Sequence, residues 1–123
     1  MSGFSQSFDE DPLSYSIEEH DEGGRRVVRL SGEMDLRAST DLRETLLKGL
    51  TEGSGSIVLD LAELSFIDST IISVLIMARK RADAAEGRVE LQNVPARIQR
   101  ILAITGIDTL FPVAESAPAP DAQ

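Results

Sequence analysis

Residues 56–85 read SIVLDLAELSFIDSTIISVLIMARKRADAA, and how this stretch is parsed decides the fold. Ser56 to Leu61 is a short apolar run whose length and β-branching predict a buried strand. A short connection follows through Glu63 and Ser65. From Thr70 the apolar run is too long for one strand, and it ends in Arg79, Lys80, Arg81 and alternating Ala and Asp. That pattern predicts a helix from about 70 to 85, although β-branched Ile71, Ile72, Val74 and Ile76 locally favour a strand. Asp68 or Ser69 is then the N-cap. The Ser69 and Thr70 hydroxyls fall where backbone N–H groups lack partners and the helix dipole favours negative charge. Such a place suits a phosphate, bound or covalently attached. Asp-Ser-Thr before a helix is also common capping chemistry, so the motif gains meaning only from its surroundings.

Upstream, Leu13 to Glu18 alternates Leu13, Tyr15 and Ile17 with polar residues, as a half-buried strand does. His20 to Gly24 reads as a loose turn, and Arg26 to Ser31 as a second strand, giving a hairpin. Gly32-Glu33-Met34-Asp35 is expected to break that strand. Ser39 or Thr40 can cap a helix to about Thr51 with Leu42, Leu46, Leu47 and Leu50 inward, and Glu44 precedes Lys48 as an i,i+4 pair. Gly53-Ser54-Gly55 is a turn after a helix and before a strand, the reverse of a phosphate-binding glycine loop.

Downstream, Glu86-Gly87 stops the helix and Val89 to Gln92 is another strand. Asn93-Val94-Pro95 opens a helix with Ile98, Ile101 and Leu102 inward, and Gly106 closes it. Ile107 to Val113 is a short helix or strand end. The order predicts a single α/β domain, a mixed four- to five-stranded β-sheet with helices packed mainly on one face. The domain is expected over residues 13–114, after a disordered acidic arm (1–12) and before a disordered Pro/Ala tail (115–123).

Composition narrows the chemistry. There are 123 residues, no Cys and a net charge of −9. Residues 1–24 hold seven acids and no Lys or Arg, which leaves 14 acids against 12 bases in the rest. With no basic stripe to displace counterions, nucleic acid is not an expected partner. The N-terminus lacks the features of a signal peptide, and Thr70 to Ala78 is too short to span a bilayer, so no membrane insertion is expected. The absence of Cys fits a reducing cytoplasm and removes thiol catalysis and Cys-ligated zinc.

His20, the single histidine, stands in an acidic segment, so a Ser-His-Asp triad is not expected. Asp35, Asp60 and Asp68 could be nominated as acid–base carboxylates or metal ligands, but their spacing singles out no pair. The expectation is a protein that is not an enzyme, with no catalytic, cofactor-binding or metal residues.

Several blocks in register resemble one family. These are Val28-Arg29-Leu30-Ser31-Gly32-Glu33-Met34-Asp35, then Ile57-Val58-Leu59-Asp60-Leu61, then Leu64-Ser65-Phe66-Ile67-Asp68-Ser69-Thr70. Gly87-Arg88-Val89-Glu90-Leu91, Val94 to Leu102 and Thr105-Gly106-Ile107 to Phe111 extend the match. The chain resembles the STAS domains, the sulfate-transporter and anti-sigma-factor-antagonist family, and in particular the bacterial antagonist branch.

That resemblance implies a phosphorylation site at Ser69, with Thr70 as the alternative acceptor. It also implies phosphosite neighbours and partner contacts at Asp35, Asp68, Thr70 and Ile71. It implies, as partner in transcription regulation under stress, an anti-sigma factor with serine-kinase activity, which the unphosphorylated chain sequesters to free a sigma factor, and a phosphatase for reset. Family members usually continue Asp-Ser-Ser/Thr-Gly-Leu-Gly. This chain has Ile71 and Ser73 at the two glycine positions. The departure supports an alternative: a non-phosphorylated STAS interaction subunit of an ABC lipid-transport system or of a stress-signalling scaffold.

Overall fold

A computed structural model describes residues 15–52 and 55–111. The acidic arm, Leu13, Ser14, Gly53, Ser54 and the Pro/Ala tail lie outside the described residues. Strands β1 (Tyr15–Glu22) and β2 (Arg25–Met34) pair antiparallel from Tyr15 opposite Gly32 to Glu22 opposite Arg25. The connection is only Gly23-Gly24, with φ of +61° and +86°. Both signs are those of a type I′ turn, which suits the twist of a hairpin and which glycine adopts without steric cost. The loose loop expected over His20 to Gly24 is therefore corrected: His20 lies in β1 opposite Val27.

A 3-10 turn, Leu36–Ala38, leads into α1 (Ser39–Glu52), followed by β3 (Ile57–Ile67), α2 (Ser69–Ala84), β4 (Val89–Gln92) and α3 (Ala96–Ile104). Of the segment Ile107 to Val113, the described part carries a second 3-10 turn, Asp108–Leu110, while Pro112 and Val113 lie outside the described residues. The strand order is β1-β2-β3-β4, with β2–β3 and β3–β4 parallel. The mixed sheet is thus a hairpin extended by two helical crossovers, as the element order requires.

Two strand ends differ from expectation. Pairing does not stop at Gly32 or at Leu61: Gly32 faces Leu64, Glu33 faces Phe66 and Met34 faces Ile67, with shifts of register between Arg29/Ser31 and Gly32/Glu33. Backbone groups that local sequence would leave in a loop find partners across the ladder, and those bonds outweigh weak strand propensity. The bulged pairing carries both chains to the same end of the sheet.

One face of the sheet meets the helices. Val28 and Leu30 of β2, Ile57, Leu59 and Leu61 of β3, and Val89 and Leu91 of β4 share one core with Leu42, Leu46 and Leu50 of α1. The same core holds Leu75, Ala78 and Ala82 of α2 and Ile98 and Leu102 of α3. Each large apolar side chain so buried contributes about 1.5–3 kcal/mol relative to exposure. Val27 and Val58, the out-of-phase residues, form a separate pair on the opposite face.

Leu47 is half-buried rather than part of the inner line, and the expected Glu44–Lys48 ion pair does not form. Asp35 caps the turn that precedes α1, with its carboxylate accepting from the Arg37 N–H, so the segment needs no cap from Ser39 or Thr40. Instead, the Ser39 hydroxyl donates to the Leu36 carbonyl at 2.8 Å.

Candidate functional site

The parallel pairing of β2 and β3 ends at Met34 opposite Ile67. The next residue on one strand is Asp35, and on the other Asp68. Neighbouring strands lie about 4.8 Å apart, so these two aspartates emerge side by side at the carboxyl ends of the strands. The chain turns into helix immediately after each. The sequence reading named both residues, and the register brings them to one place.

Asp68 is the N-cap of α2. Its backbone is extended, at φ −109° and ψ −177°, and its side chain accepts from the Ile71 N–H at 3.1 Å. Ser69 is then the first residue of the helix and is exposed. Its hydroxyl has no hydrogen-bond partner among the described residues, while its carbonyl accepts from the Ser73 hydroxyl at 3.1 Å. An exposed, uncommitted hydroxyl at a helix N-terminus is open to a modifying enzyme, and the dipole tolerates the negative charge that a phosphoryl group brings. Thr70 is half-buried against α1.

Asp35 holds Arg37 at two points: the backbone N–H at 3.0 Å and the guanidinium Nε at 3.2 Å. The bond from the Arg37 backbone, then that from its side chain, keeps the Asp35 carboxyl below its ordinary range. Asp35 is therefore ionised at neutral pH, with its charge paired to the Arg37 guanidinium.

Ile71 is placed differently from the sequence expectation. It is 0% exposed and belongs to the main core. It cannot contact a partner directly, because the second residue of α2 after Ser69 turns its side chain toward the sheet. The exposed apolar groups at this end of the molecule are instead Leu36, 67% exposed, and Phe66, 43% exposed. They flank Asp35 and Asp68 in sequence. Sequence reading did not single them out, although Leu36 does stand outside the Leu42, Leu46, Leu50 stripe of α1.

Asp60 does not join the other two aspartates. It is 5% exposed and lies several rungs back along β3, opposite Arg29. Its carboxylate accepts from the Ala62 N–H at 3.1 Å and the Asn93 side-chain amide at 3.2 Å, and lies 3.6 Å from the Arg29 Nε. These contacts make it a structural anchor. Among the described residues, no cluster of three His, Cys, Asp or Glu could hold a metal ion, and no helix is long and apolar enough to cross a membrane.

The architecture and the capped Asp-Ser-Thr turn define a class: small mixed-sheet domains with helices on one face and a hydroxyl at the start of a central helix. A family model described as Mlab, STAS domain matches residues 17–112. The anti-sigma-B factor antagonist of Staphylococcus epidermidis is 30% identical over 88 residues, which are 72% of this chain and 82% of that protein.

Among solved structures, an anti-sigma factor antagonist from Mycobacterium paratuberculosis superposes with a TM-score of 0.74 at 23% identity, covering 85% of this chain and 89% of that one. The anti-sigma factor antagonist SpoIIAA in its unphosphorylated form gives a TM-score of 0.70 at 20% identity, covering 82% and 90%. These two likenesses establish the fold. This chain belongs to the STAS domain family, and it is related in sequence to anti-sigma factor antagonists.

Proposed function

We propose that the chain is an anti-sigma factor antagonist whose docking is switched by phosphorylation of Ser69. Unphosphorylated, it sequesters an anti-sigma factor with serine-kinase activity, in the cytoplasm where sigma factors act. Phosphorylated, it releases that partner, and a phosphatase resets it. The observation that carries this reading is Ser69 itself: exposed, unpartnered among the described residues and held at the start of α2 by the Asp68 cap. The chain acts by binding and turns over no substrate; ATP and Mg²⁺ come with the kinase.

The physics of release is local. A phosphoryl group adds about −1.5 to −2 charge at neutral pH. Placed on Ser69 it joins the Asp35 and Asp68 side chains at a surface that must be desolvated on docking. Each 1.4 kcal/mol of penalty lowers affinity about tenfold. The exposed Leu36 and Phe66 provide apolar area for the same contact.

The test is phosphoryl transfer. Incubated with ATP and the anti-sigma kinase encoded near its own gene, the chain is expected to gain one phosphoryl group by intact mass. Ser69→Ala is expected to abolish the gain and Thr70→Val to leave it. Undiminished labelling of Ser69→Ala would refute the assignment of the acceptor.

A second reading keeps the binding role without the phosphate: an interaction subunit docked on the ATPase of an ABC lipid-transport system. Ile71 and Ser73, in place of the family's usual glycines, favour it, because buried Ile71 fills the space that glycine would leave at the helix start. Co-purification with an ATPase subunit, without phosphoryl transfer, would select this reading.

A further inference from the structure

Next to Ser69 in sequence, α1 and α2 flank an open surface cleft of about 280 Å³. Ser39, Thr40 and Arg43 line it from α1, and Thr70, Ser73 and Val74 from α2. Its chemistry is that of a donor. Arg25, Arg26, Arg29, Arg37, Arg79 and Arg88 each hold a carboxylate, whereas exposed Arg43, like Arg81, Arg97 and Arg100 elsewhere on the surface, holds none among the described residues. Ser39 and Ser73 already donate to the carbonyls of Leu36 and Ser69. The Thr40 and Thr70 hydroxyls have no side-chain hydrogen bond among the described residues and keep their donors. No Asp or Glu lines the cleft. One guanidinium and two free hydroxyls, with no internal anion, complement a carboxylate.

Building on the antagonist reading, we propose that this cleft receives an Asp or Glu side chain of the docked anti-sigma factor, with Arg43 as its counter-ion. The location explains how phosphorylation acts. Thr70 lines the cleft and Ser69 precedes it, so a phosphoryl group on Ser69 arrives next to a carboxylate already seated there. Like charges at short range repel, and the phosphate also competes for Arg43. An anion on the partner turns a modification that α2 tolerates into one that the complex does not.

The experiment uses the kinase that labels Ser69 and measures its dissociation constant for the full chain. Arg43→Glu is expected to weaken binding about tenfold or more, and Arg43→Lys to stay within about threefold of wild type. Arg43 is exposed, so circular dichroism of Arg43→Glu is expected to match wild type. Reversal of one acidic residue of the kinase to Lys is expected to restore binding to Arg43→Glu.

If wild type binds and Arg43→Glu binds within twofold of it, the cleft proposal fails while the antagonist reading stands. If wild type does not bind at all, both fail. If the phosphorylated chain loses affinity equally with and without Arg43, the carboxylate is not seated there and the proposal is again overturned.

Discussion

Asp68 and Ile71, three residues apart, show two roles that one helix start imposes. The Asp68 side chain must turn back to the Ile71 N–H, because the first N–H groups of a helix have no intrahelical acceptor. The Ile71 side chain must turn inward, because the helical period from Ile71 through Leu75, Ala78 and Ala82 sets the buried face. The cap was legible in the sequence, since a short polar residue before an apolar run has few other uses. The depth of Ile71 was not, since it depends on how α2 sits on the sheet. Its burial sets a prediction. Ile71→Ala is expected to destabilise the chain by about 2–5 kcal/mol, the range for emptying a filled core site. Urea denaturation measures this. The folded fraction is expected to bind the anti-sigma kinase as wild type does, because Ile71 has no exposed surface. A loss below about 1 kcal/mol would mean that Ile71 is not core.

At the scale of elements, the helices and the short strand β4 were legible because each is punctuated by its own residues. Asp68 opens α2, Glu86-Gly87 closes it, and Pro95 precedes α3. The second halves of β2 and β3 were not legible. Residues 62–66 lack a strand pattern, and their pairing with 31–33 exists only once both strands lie side by side. The site inherits this, since it is the continued pairing to Met34 and Ile67 that places Asp35 beside Asp68.

A second long-range constraint seats the other ends of β3 and β4. There the Ile57 N–H donates to the Arg88 carbonyl at 3.0 Å and the Arg88 N–H to the Ser56 hydroxyl at 3.1 Å. Gly87 permits this approach: a Cβ on it would collide with the Gly55 carbonyl. Gly87→Ala is therefore expected to cost about 1–3 kcal/mol through displaced backbone. Thermal or urea unfolding would record it. The change lies at the opposite end of the strands from Ser69, so phosphorylation by the kinase is expected to continue at wild-type rate in the folded protein. Wild-type stability in Gly87→Ala would show that the two segments are looser than this contact requires.

For the molecule as a whole, the question is whether phosphorylation changes the fold or only the surface. The sheet and its one-sided helical core lie behind Ser69, and no described side chain bonds to its hydroxyl. Nothing has to break when the hydroxyl is esterified. At an exposed helix N-terminus the dipole contributes about 0.3–1 kcal/mol in favour of the phosphate. Repulsion from the Asp35 and Asp68 side chains opposes it, weakened by solvent and salt at the surface. The two effects oppose each other within the free chain. In the proposed complex with the anti-sigma factor the repulsion would prevail, because docking would remove the water and salt that screen the new charge.

The prediction separates the two states of the molecule. Stoichiometrically phosphorylated chain is expected to unfold in urea within about 1 kcal/mol of the unmodified chain, with the same circular dichroism, while its affinity for the anti-sigma kinase falls by at least about tenfold. Raising the salt concentration is expected to narrow any difference in stability. Loss of several kcal/mol on phosphorylation, or a changed far-ultraviolet spectrum, would instead make the switch a refolding event, and the burial of Ile71 beneath the modified turn would be the first place to look for its cause.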